Sequence, residues 1–103
     1  MNRAFQTSKS FFSLPTDIKN AYALGKIDGP YRGYAGLELE SLDPLKPADL
    51  KESFSFIPSS QALEWPDRYV PNFAIDMMTM LQNTAELGCQ ILSLIGEGLG
   101  LQV

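Results

Sequence analysis

One absence limits the chemistry this sequence can do. None of its 103 residues is a histidine. That removes Ser-His and Cys-His nucleophile pairs, imidazole acid–base work and imidazole-ligated metals. A metal site would have to be all carboxylate, and the 12 acidic residues are scattered along the chain. Cys89 is the single cysteine, which excludes an internal disulfide and a cysteine zinc site. We expect Cys89 to be a small buried residue on a long helix, with no base beside it to make it a nucleophile. No catalytic residue and no metal ligand is assigned.

What remains are recognition groups. Tyr31, Arg32 and Tyr34 stand in a glycine-rich stretch, residues 25–36, where Asp28, Gly29 and Pro30 form a turn signal. Two readings stay open for it. One is an ordinary loop with half-buried tyrosines. The other is a pocket wall, with aromatic bodies, polar tips and a guanidinium able to hold a carboxylate. Lys51 and Glu52 are neighbours, and the expectation is a solvated surface pair.

The elements that must position these groups are legible from periodicity. The spacing predicts a first helix over residues 2–14, with Ala4 or Phe5, Ser8, and Phe11 or Phe12 inward, ended by Leu14-Pro15. A second helix is expected over 15–24, capped by Thr16 or Asp17, with Ile18, Ala21 and Tyr22 inward and Gly25 as its stop. Leu37 to Glu40 alternates and reads as a short strand with its leucines inward. Residues 51–58 alternate again, with Phe54 and Phe56 on one side and Ser53, Ser55 and Ile57 on the other. Trp65 is expected to fill an apolar gap. Residues 69–101 read as one long amphipathic helix of about 40 Å. Its predicted stripe is Ala74, Met78, Leu81, Ala85, Gly88, Leu92, Ile95 and Leu99. Asn72 is its expected cap, Met77, Met78 and Met80 are gap-fillers, and Gly96, Gly98 and Gly100 mark its end.

A hydrophobic fraction of 45% and 11% aromatics suffice for a core. Charge is uneven. Residues 1–32 carry five basic and two acidic side chains, the remainder three and ten. No dense basic stripe is interleaved with aromatics, so nucleic acid is not an expected partner. No run of 18 apolar residues exists, so no membrane span is expected. With no signal peptide either, the expected location is cytoplasmic.

The order of motifs is more specific than any motif alone. FFSLP (11–15), RGYAG (32–36), DLKESFSFIP (49–58), WP (65–66) and GLGL (98–101) follow one another at set distances. This order resembles the N-terminal domain of the non-haem iron, 2-oxoglutarate-dependent dioxygenases, the isopenicillin N synthase-like superfamily. The resemblance runs over nearly the whole chain. It implies an α+β fragment with two short N-terminal helices, one long C-terminal helix and two or three short strands. Residues 1–103 would form a single partial domain of that fold, truncated before the double-stranded β-helix and lacking the strand that usually precedes the first helix. In the family, a His-x-Asp pair and a distant His hold Fe(II), leaving open positions for cosubstrate and oxygen. Fe(II) and 2-oxoglutarate are therefore expected only in a full-length relative. The resemblance also implies that Tyr31, Arg32, Tyr34, Phe54 and Phe56 help wall the substrate entrance, with Gly33 and Tyr34 matching the family pattern best.

The expected function is thus a non-catalytic N-terminal module of an oxygenase that oxidises a small organic substrate. Its expected partner is the missing C-terminal jelly roll, or a second copy through the long-helix stripe. The alternative is a small, self-sufficient helical interaction module. Nothing in the sequence supports an independent enzyme.

Overall fold

In a computed structural model of the chain, the described residues are 2–26, 32–37, 43, 45–47, 50–57 and 65–102. They form an α+β arrangement of three helices and a two-stranded sheet. Tyr31, residues 38–40 of the strand expected over Leu37 to Glu40, and Pro58 lie outside the described residues.

The first helix, α1, spans Asn2–Phe12. It buries Ala4, Thr7 and Phe11, an i, i+3, i+7 row on one face. Ala4 and Phe11 are therefore the inward choices of the two pairs expected, while Phe5 stays 65% exposed. Ser13 N–H donates to the Lys9 carbonyl and Leu14 N–H to that of Phe11, closing the end before Pro15.

The second helix, α2, is shorter than the pattern suggested, Thr16–Asn20 only. Neither Thr16 nor Asp17 caps it. Pro15 takes the cap position, and its carbonyl accepts from the N–H groups of Ile18 and Lys19. From Ala21 onward the backbone has another use. The Tyr22 carbonyl accepts from Tyr34 N–H at 2.7 Å, and Leu24 N–H donates to the Tyr34 carbonyl at 3.0 Å. These cross-chain bonds replace the helical ones.

That pairing makes RGYAG a strand rather than the expected loop. Strand β1, Gly33–Ala35, lies between residues 22–24 on one side and β2, Ser53–Ser55, on the other. The β1–β2 ladder is antiparallel, with Tyr34 opposite Phe54 and Gly33 opposite Ser55. Gly33 has φ +120°, and a Cβ there would lie 2.4 Å from the Tyr22 carbonyl oxygen. Only glycine allows this approach. Leu37, expected inward on a strand, lies in a turn and is 60% exposed.

The long helix, α3, runs Phe73–Gly98, about 39 Å. It begins four residues later than expected, because Pro66–Arg68 form a 3-10 turn and Pro71 follows Val70. Asn72 does not cap it with its side chain. It adopts the left-handed conformation, φ 66°, and the Asp67 carboxylate accepts the Ala74 N–H at 3.1 Å instead. At the far end Gly100 is left-handed. Its N–H donates to the Glu97 carbonyl, and Leu101 N–H donates to that of Gly96 at 2.8 Å. This is a Schellman stop.

The core is a ring cluster between α1, the sheet and the start of α3. Phe11, fully buried, makes edge contacts with Phe12, Tyr34 and Phe54 at 5.2–6.0 Å and a tilted one with Phe73. Trp65 closes it against Phe54, Phe56 and Phe73. On α3 the row that packs here is Phe73, Met77 and Met80, one position earlier than the predicted Ala74, Met78 and Leu81. Beyond Leu81, the large apolar side chains of the helix are exposed. Leu92, Ile95 and Leu99 of the predicted stripe are 67%, 52% and 70% exposed. Cys89 is exposed too, contrary to expectation, because no layer among the described residues packs on that half of α3. Among the described residues no helix is long and apolar enough to cross a membrane.

Candidate functional site

The polar centre of the structure lies where α2 meets the sheet. Lys19 is on the inward side of α2, only 6% exposed. Glu52 precedes β2 and shares the inward parity of Phe54 and Phe56. Tyr34 is the central residue of β1 and is 3% exposed. The Lys19 ammonium donates to Glu52 Oε1 and to the Phe12 carbonyl at 3.1 Å. The Tyr34 hydroxyl donates to the same Glu52 oxygen at 2.7 Å. Lys19 Nζ also sits 5.5 Å from the centroid of the Tyr34 ring.

Each group's protonation follows from its neighbours. The hydrogen bonds from Lys19, then Tyr34, hold the Glu52 carboxyl below its ordinary value, outweighing burial. The hydrogen bond to Glu52 pushes the Lys19 ammonium above its ordinary value, although burial opposes this. Burial, then the hydrogen bond to Glu52, raises the Tyr34 phenol. At neutral pH the trio is therefore an ammonium, a carboxylate and a neutral phenol. The lysine has no lone pair to attack with, and the carboxylate oxygen already accepts two bonds. The trio fastens α1, α2 and the hairpin together.

A second polar link joins α1 to α3. Thr7 Oγ1 donates to Asp76 Oδ2 at 2.7 Å, and Arg3 Nε lies 3.4 Å from Asp76 Oδ1. Shallow clefts of about 350 and 260 Å³ flank this link. Both are open and bordered by Arg3 and Asp76.

Of the sequence-derived pocket residues, Tyr34 and Phe54 stand opposite each other in the ladder register. Both look into the ring cluster, with Phe56 beside Trp65. Arg32 stands half-buried at the threshold of β1. Tyr31 lies outside the described residues. Lys19 and Glu52 were not anticipated. Glu52, expected on the solvated surface, is the acceptor at the polar centre. Its signal was present: it alternates with Phe54 and Phe56, so it had to point inward and find a donor.

No group of three or more His, Cys, Asp or Glu side chains able to hold a metal occurs among the described residues. With no histidine in the sequence, these residues do not fit a site of two imidazoles and one carboxylate.

Comparison with known proteins gives two results. Residues 1–76 match the family described as non-haem dioxygenase in morphine synthesis N-terminal. The chain is also 28% identical over 116 aligned positions to the 2-oxoglutarate-dependent dioxygenase frbA of Dothideomycetidae sp. (strain 11243). That alignment covers 98% of this chain and 34% of the relative, so the chain spans about a third of that protein's length. No solved structure matches the chain.

Proposed function

The chain belongs to the non-haem dioxygenase N-terminal family, and from that premise we propose that it is the non-catalytic N-terminal module of an Fe(II)- and 2-oxoglutarate-dependent oxygenase. The observation that carries this reading is a family match over residues 1–76 in a sequence with no histidine. Two imidazoles of a facial iron site would come from elsewhere in such an enzyme. Iron would supply oxygen activation, and 2-oxoglutarate the electrons. This chain's residues supply shape.

The hairpin is the part that faces the chemistry in this reading. Strand β1, pinned on both edges, presents Arg32 at its threshold. Its guanidinium is suited to a bidentate hold on a substrate carboxylate. Tyr34, Phe54 and Phe56 back that wall. The far half of α3, whose large apolar side chains are exposed among the described residues, is where a catalytic jelly roll would rest in the assembled enzyme.

The test is direct. The purified chain, supplied with Fe(II), ascorbate and 2-oxoglutarate, releases no succinate above a no-protein control. Succinate at a rate proportional to chain concentration contradicts the reading.

A further inference from the structure

We draw no further inference here: the strongest candidate, the exposed apolar patch of Leu87, Ile91, Leu94 and Ile95 on the far half of α3, carries nothing because nothing in the structure shows what covers it.

Discussion

Lys19 and Glu52 lie 33 positions apart in sequence, yet their side chains form the one ion pair with a buried lysine among the described residues. Their link joins a five-residue helix to the residue just before a three-residue strand, two elements too short to persist alone. The Tyr34 hydroxyl shares the same carboxylate oxygen, so the pair also fixes β1.

Removing one partner should therefore cost more than removing both. Glu52→Gln leaves a buried ammonium without its carboxylate and should destabilise the chain by about 2 kcal/mol, the scale of a charge-assisted hydrogen bond. Lys19→Met combined with Glu52→Gln should recover part of that loss. Urea unfolding of the two single variants and the double variant measures the coupling.

The same trio sets a pH window. Glu52 has a folded-state pKa below its ordinary 4.5, so its contribution is present above that value and fades as pH falls through the folded value. Lys19 and Tyr34 have folded-state values above 10.5 and 10.0. Their contributions are present below those values and fade as pH rises through the folded ones. Stability should be flat between about pH 5 and 10 and fall on both sides. Thermal melts across that range check this, and Glu52→Gln should flatten the acid limb.

Gly33 is the second point of no tolerance. Gly33→Ala puts a methyl group 2.4 Å from the Tyr22 carbonyl oxygen, on a backbone with φ +120°. The change should destabilise by roughly 2–3 kcal/mol, because both the clash and the dihedral must relax. Gly88→Ala, with open space at its Cβ and an ordinary helical position, should be neutral or stabilising by up to about 1 kcal/mol. Comparing the two glycines by urea denaturation separates close packing from simple propensity.

Asp67 carries the cap that Asn72 does not. Asp67→Ala frees the Ala74 N–H and should cost about 1 kcal/mol. Asn72→Gly, which relaxes a left-handed residue, should be nearly neutral or slightly stabilising. Melting temperatures of the two variants should therefore move apart. A larger loss at Asn72 would contradict the assignment.

How much of this was readable beforehand depended on what each element leans on. Helix α3 was legible because 26 residues of helical spacing and a glycine stop need no tertiary help to declare themselves. Its facing row was misjudged by one position. The choice between Met77 and Met78 depends on where Phe11 stands, and that is not a local property. Strand β1 was hidden because three residues with two flanking glycines carry no periodicity, and its partners are far away in sequence. Cys89 looked buried because half of α3 was assumed to have a layer over it. Of the candidate site, Tyr34, Phe54 and Phe56 were identified by type. Their direction, into the ring cluster, required the ladder register. Lys19 was missed because a lysine on a short helix is ordinarily solvated.

In the proposed reading this chain is scaffold, and the iron of the assembled enzyme would be held by residues outside it. An anaerobic titration of the purified chain with Fe(II), followed by gel filtration and metal analysis of the protein peak, decides between scaffold and iron site. No iron carried in proportion to protein is expected. One iron retained per chain would refute the scaffold reading.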